Sequence, residues 1–274
     1  MLSRFRHSLR PTFHILAVAV CCSFLGGTLH AQDDDATVPV IDFHIHLRGG
    51  MTAEKAIARQ DATGIKSGVL RNIGEGWPIE TDEQLEAFLD EVETLPLFVG
   101  LQVNDRDWMD VHSQDLLERL DFVLADTMIM RMPTDDHPPV KLWMPDLYEI
   151  KDPEAWMERY MRHNLQVLAE PCTILANPTY LPPPVEDLYD ELWTDQRMET
   201  IIQAAIDNNV ALEINARSGL PHERFIIMAK EMGAKFSFGS NNFDDIPIDM
   251  SRCLESIDRY GLEKSDMYVP EPRD

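Results

Sequence analysis

Val210-Ala-Leu-Glu-Ile-Asn-Ala216 is a short apolar run, Pro221 then opens an amphipathic stretch that stops at Gly233, and Lys235-Phe-Ser-Phe-Gly239 is a second such run. Strand, glycine-capped helix and strand with short joining loops make a β-α-β unit, which places both strands parallel in one sheet. Reading outward from this unit, the same rhythm predicts seven strands, at 38–46, 67–74, 97–104, 121–130, 172–178, 210–216 and 235–241. Helical patterns at 52–63, 81–94, 111–120, 153–170, 197–209, 221–233 and 250–261 alternate with them. The strand interiors are nearly continuous in apolar residues, as expected of strands covered on both faces. Two insertions rich in Pro, Trp and Tyr, 131–152 and 179–196, each follow a strand, and in a parallel barrel that end gathers the binding loops.

The chain has 274 residues and a formal charge of −24, from 48 acidic against 24 basic side chains. Such a field repels a phosphate backbone, so nucleic acid is not an expected partner and a small molecule is. Residues 1–31 carry Arg4, Arg6 and Arg10, no acidic residue and an apolar core over 15–25, which reads as a secretory signal peptide ending near Ala31. The expected location is therefore periplasmic or secreted, with a short linker at 32–37 and one barrel domain over 38–274. No stretch has the length of a transmembrane span. Cys172 and Cys253 are expected as buried free thiols, and oligomeric state is not readable.

The sharpest local signal is Ile41-Asp42-Phe43-His44-Ile45-His46. Strand side chains alternate, so Asp42, His44 and His46 are expected on one face, where two imidazoles reach one cation. Two partly buried histidines satisfied by carboxylates or backbone are the other reading. Polar groups recur near the other strand ends: Asn72, Gln102, Asn104, Asp126, Asn177, Glu213, Asn215, Arg217 and Asn241. Buried amides and carboxylates cost a few kcal/mol unless paired, so a ring of them implies a cation, a polar ligand or ordered water. Arg71, Arg131, Lys141 and Arg217 are possible contacts for an anionic ligand. Trp77, Trp108, Trp143 and Trp193 follow strands and read as pocket walls or as loop packing, with packing favoured. His112, His137, His163 and His222 lie away from strand ends and are expected mostly on the surface.

Together these stretches resemble the PHP (polymerase and histidinol phosphatase) family of the amidohydrolase-like metal barrels. Asp42-Phe-His44-Ile-His46 matches its opening D-x-H-x-H, Ile174-Leu-Ala-Asn177-Pro178 resembles its I-x-A-H-P, Leu212-Glu213-Ile214-Asn215 its L-E-I-N, and Phe238-Gly239-Ser240-Asn241 its G-S-D. The resemblance implies an α/β fold, a distorted (β/α)7 TIM-like barrel of the PHP type. It also implies a metal-dependent hydrolase. Gln102 stands where the family has a metal-binding Glu, Asn177 where it has a His, Asn241 where it has an Asp and Phe243 where it has the closing His. Carry-over of metal ligands is thus limited to His44 and His46.

This leaves a reduced site. His44 and His46, with Asp126 or Glu213 as a third ligand, would hold one divalent ion, Zn, Mn or Fe, and leave a position open for water. Asp126 or Glu213 would carry the proton, and Gln102, Asn177, Asn215, Arg217 and Asn241 would contact a small ester, phosphoester or amide. Asp42 would orient an imidazole or cap the strand. Two other readings stand beside it: a non-catalytic barrel that binds a ligand, and an amidohydrolase-type barrel, which commonly carries a Lys on its fourth strand that 128–130 lacks.

Overall fold

A computed structural model of the chain describes residues 37–131, 139–246 and 249–271, so the leader expected over 1–31, and His137, lie outside the described residues. The elements run β1 (Ile41–His46), α1 (Ala53–Thr63), β2 (Lys66–Ile73), α2 (Asp82–Val92), β3 (Phe98–Val103), α3 (Trp108–Val111), α4 (Gln114–Leu117), β4 (Phe122–Ala125), β5 (Ile129–Met130) and β6 (Val140–Lys141). They continue with α5 (Pro153–Leu168), β7 (Ile174–Leu175), α6 (Tyr189–Leu192), α7 (Asp195–Asp207), β8 (Ala211–Asn215), α8 (Glu223–Met232), β9 (Phe236–Gly239) and α9 (Ser251–Tyr260). Strands β1, β2, β3, β4, β7, β8 and β9 close in that order into a parallel, TIM-like barrel.

Helix ends follow local chemistry. Thr81 and Gln84 form a reciprocal capping box at the start of α2, Asp152 accepts from the Glu154 and Ala155 N–H groups at α5, and Gly64, Gly233 and Gly261 close α1, α8 and α9 in left-handed conformations. The expected helix at 111–120 is instead the short pair α3 and α4. Asp82 reaches the break between them, accepting from the Ser113 N–H at 3.1 Å with the His112 ring at 3.2 Å. Strand β4 ends before the expected 130. The Asp126 carboxylate accepts from the Met128 N–H at 3.0 Å, a local turn that lifts the chain out of the sheet and into the β5–β6 hairpin.

Two apolar layers result. Ile41, Phe43, Leu70, Phe122, Leu124, Ile174, Ala176 and Ala211 fill the barrel interior, and a much larger cluster lies between the strands and the surrounding helices. Both thiols, Cys172 and Cys253, are free and buried as expected.

The strand alternation expected of β1 fails at one place. Asp42 pairs with Ser67 and Ile45 with Val69, so Phe43 and His44 together oppose Gly68 alone. This is a β-bulge, which adds one residue to one strand and re-aims the side chains beyond it. Phe43 joins the interior cluster, Ile45 the outer one, and Asp42 does not share the face of the two histidines. Gly68 makes room, since a Cβ there would lie 3.0 Å from the Phe43 ring and 3.1 Å from the Phe122 ring. Asp42 instead bonds the Arg59 guanidinium of α1 at 2.7 Å and accepts from the Ser240 and His44 N–H groups at 2.8 and 3.2 Å. It pins the seam where β1 meets β9, a pair whose ladder has only the Asp42 and Phe238 position.

Two histidines expected on the surface are buried, His112 and His163. Helix α5 turns Trp156, Tyr160 and His163 to one side, where the Tyr160 ring lies 4.8 Å from Trp156 and 6.4 Å from His163. Burial first, and then the Arg106 charge, push His163 down to about 4. The unfolded chain takes up that proton near pH 6.5, so stability is complete above that value and falls as the pH drops toward 4, by about 3 kcal/mol. Comparing denaturant midpoints of the parent and His163→Gln between pH 7 and 4 checks this. The parent should lose more stability over that range, and parallel curves would refute the assignment.

Candidate functional site

The carboxyl ends of the barrel strands bring the polar residues together in two arcs. Along β2, β3 and β4, the Asn72 amide donates to Gln102 at 2.9 Å and Asn104 at 3.0 Å, and the Gln102 amide donates to Asp126 at 2.6 Å. Along β1, β7 and β8, Glu213 meets His44 Nδ1 at 2.6 Å and accepts from the Asn177 N–H at 2.8 Å and the Asn215 amide at 3.0 Å. Asn215 turns its oxygen to the N–H groups of Arg217 and Ser218. Each arc has one carboxylate, and every member is buried. Satisfying amides and acids on one another in this way is what makes so polar a barrel end stable.

Between the arcs stand the two imidazoles, 5.1 Å apart by ring centroid and both buried. Nδ1 of His44 is held by Glu213, but its Nε2 has no hydrogen-bond partner, and neither nitrogen of His46 has one. Asn72 and Asn241 approach His46 without completing a bond to it. Three buried ring nitrogens without partners are costly unless something else meets them.

The charges reflect this packing. Burial is the largest influence on His44 and favours its neutral form, but Glu213 outweighs it, with help from Asp42 and Asp126, so the proton is held above its usual range. Glu213 is held below the usual carboxylate range: burial opposes ionisation, and the His44 charge and hydrogen bond overcome it. Burial, then His44 and Arg48, push His46 well down, so it is neutral. Burial raises Asp126 against the Met128 N–H bond and the charges of Arg106 and His44. Burial and the Arg217 charge lower Arg48.

The backbone explains two of the amides. Asn177 and Asn241 sit at φ 46° and 49°, just past β7 and β9, in the left-handed region that Asn enters more readily than most side chains. From that position Asn241 reaches the neighbourhood of His46.

Gly239 sets how closely the Glu213 arc packs. A Cβ on it would lie 1.9 Å from Glu213 Oε1 and 2.8 Å from His44 Cβ, so no other residue leaves that pair its place.

Of the expected site residues, His44, His46, Gln102, Asp126, Asn177, Glu213, Asn215 and Asn241 all lie at this end. Glu213 stands behind His44 on its Nδ1 side, with both oxygens engaged. Among the described residues no group of three or more His, Cys, Asp or Glu side chains is disposed to hold one metal ion. Of the expected anion contacts, Arg71 points outward to Glu91 at 2.9 Å, Lys141 lies over the Trp77 ring at 4.6 Å, and Arg217 is at the rim over the Phe243 ring. Trp108 and Trp193 are buried packing residues. Arg48 was not anticipated as a site residue. Its position two residues past His46, at the same strand end, is the signal that points to it. A cavity of about 800 Å3 beside the barrel shares Asn104 with the polar arc and is walled by Arg106, Arg159 and His163.

No family model and no curated protein matches the chain. Among solved structures it is similar to a chain of an archaeal ribonuclease P with mature tRNA, at 12% identity and TM-score 0.45, over 82% of this chain and 83% of that one. It is also similar to the HpcH/HpaI aldolase from Desulfitobacterium hafniense DCB-2, at 12% identity and TM-score 0.33, over 80% of this chain and 91% of that one. Likeness at this level does not bear on what the protein does. No helix of the described residues is long and apolar enough to cross a membrane.

Proposed function

We propose that the protein is an exported hydrolase of a small ester, phosphoester or amide, built on a PHP-like barrel and dependent on one divalent ion. The observation that carries this reading is the pair of buried imidazoles, 5.1 Å apart by ring centroid at the carboxyl end of the barrel, with Nε2 of His44 and both nitrogens of His46 without hydrogen-bond partners. Neutral imidazole is a donor for Zn, Mn or Fe, and these two side chains fit such an ion; the remaining positions would fall to amide oxygens, substrate or water. A bound ion supplies Lewis acidity there.

The protein's own groups account for the rest. With His44 neutral, the Glu213 carboxylate at 2.6 Å would keep the proton on Nδ1 and leave the Nε2 lone pair for an ion, the arrangement by which a carboxylate behind a histidine orients a metal ligand. Asp126, raised by burial, is poised to take up and return a proton. Asn177, Asn215, Gln102 and Asn241 offer amides for the polar atoms of the substrate. The acidic surface disfavours nucleic acid as a partner.

A binding barrel without catalysis is the second reading, favoured because no third His, Cys, Asp or Glu side chain among the described residues joins the two histidines in a group disposed to hold a metal ion. Elemental analysis of the parent and of His44→Ala/His46→Ala, with turnover of a phosphomonoester and a carboxylic ester, separates the two. The hydrolase reading expects about one equivalent of metal in the parent, none in the double variant, and turnover at least about a thousandfold lower. A metal-free, inactive parent would leave the binding barrel standing.

A further inference from the structure

Three neighbouring strands of the barrel, β8, β9 and β1, each release one residue into a small group at the rim. Phe243, following β9, has its ring centroid 5.7 Å from that of His46. The Arg48 guanidinium, following β1, lies 4.8 Å from the Phe243 centroid, and the Arg217 guanidinium, following β8, lies 4.4 Å from it. Phe243 is 38% exposed although apolar, and both arginines are exposed. In a chain of charge −24, neither guanidinium has a carboxylate within ion-pair distance among the described residues. The two acids that follow Phe243 are engaged elsewhere, Asp245 with Lys55 and Asp244 with the Ile246 N–H. Two like charges gathered on one ring repel, and the ring's negative face offsets only part of that. An oxyanion between them would relieve the remainder, and guanidinium forks match phosphate and carboxylate oxygens in pairs.

We propose that Arg48 and Arg217, splayed on the Phe243 ring, clamp an oxyanion of the ligand, phosphate or carboxylate, one ring away from the histidine pair. The clamp deepens the hydrolase reading by naming its substrates as anionic, and it rests on that reading only for the place where substrate lies. Phe243 is a positioning residue: it touches the arginines and fixes where the two forks converge, so its loss weakens the clamp without removing a charge. An anion held here brings the bond next to it up to His46.

The test is titration of the chelator-treated, metal-free full chain with inorganic phosphate and, separately, acetate, by calorimetry and thermal shift. Parent, Arg48→Gln, Arg217→Gln, Phe243→Leu and His44→Ala/His46→Ala are compared. Saturable anion binding is expected in the parent, weakened about tenfold in each arginine variant and a few-fold in Phe243→Leu. The tighter of the two anions identifies the group carried by the ligand. Binding retained in His44→Ala/His46→Ala shows the clamp standing whether or not those histidines hold metal, so failure of one idea is distinguishable from failure of the other. No binding of either anion to the folded parent, or binding indifferent to both arginine substitutions, overturns the proposal.

Discussion

Replacing Glu213 by alanine should lower the melting temperature by roughly 10 °C, the largest effect of any single truncation at the barrel mouth. The carboxylate is buried and partners His44 Nδ1, the Asn177 N–H and the Asn215 amide. Its removal strands all three, and breaking a buried charged pair from one side costs about 3–5 kcal/mol because the surviving partner is left uncompensated. Glu213→Gln should cost less than alanine: it keeps an acceptor for Nδ1 but loses the charge that holds the proton there. His44→Ala combined with Glu213→Ala should cost less than the two single changes together, since each removes what the other strands. Additive losses, or an alanine variant melting with the parent, would mean the pair does not form.

Gly239→Ala should be nearly as damaging, at least about 3 kcal/mol, although it adds a single methyl group. That methyl would sit 1.9 Å from Glu213 Oε1, the end of a side chain but one tied to His44 Nδ1, and 2.8 Å from His44 Cβ, which moves only with its backbone. Glu213 must leave His44, or β9 must move away from β1. Either way the histidine loses its orientation, so metal retention should fall along with stability. Introducing Glu213→Ala first removes the worst clash, and Gly239→Ala should then cost visibly less than in the parent. Chemical denaturation of the four proteins reads this coupling directly, and an alanine at 239 tolerated without loss would refute the packing described.

Much of the candidate site was legible because strand ends are where a parallel barrel collects its side chains, and polar residues interrupting apolar strands are conspicuous. His44, His46, Gln102, Asp126, Asn177, Glu213, Asn215 and Asn241 all come together there. The role of Glu213 was not legible. Linear order shows a carboxylate at a strand end but not which side of an imidazole it approaches, and that depends on the missing Cβ of Gly239 on the neighbouring strand. For Arg48 the sequence offers only its place two residues past His46, and the Phe243 ring shared with Arg217 is what makes it distinctive. The burial of His163 is not legible because a histidine on an amphipathic helix takes whichever side the helix turns inward, and that of His112 because it follows from Asp82 holding the break between α3 and α4.

By itself the sequence determined the number, order and direction of the barrel strands, since hydrophobic periodicity and glycine caps are local and seven βα units can bury their apolar faces together only in a parallel sheet. It also determined which residue types crowd the barrel mouth. Tertiary structure decided what those residues do. The extra residue of β1 opposite Gly68 sends Asp42 to Arg59 and the barrel seam while His44 and His46 remain at the mouth, and such a bulge depends on the register between two strands rather than on either alone.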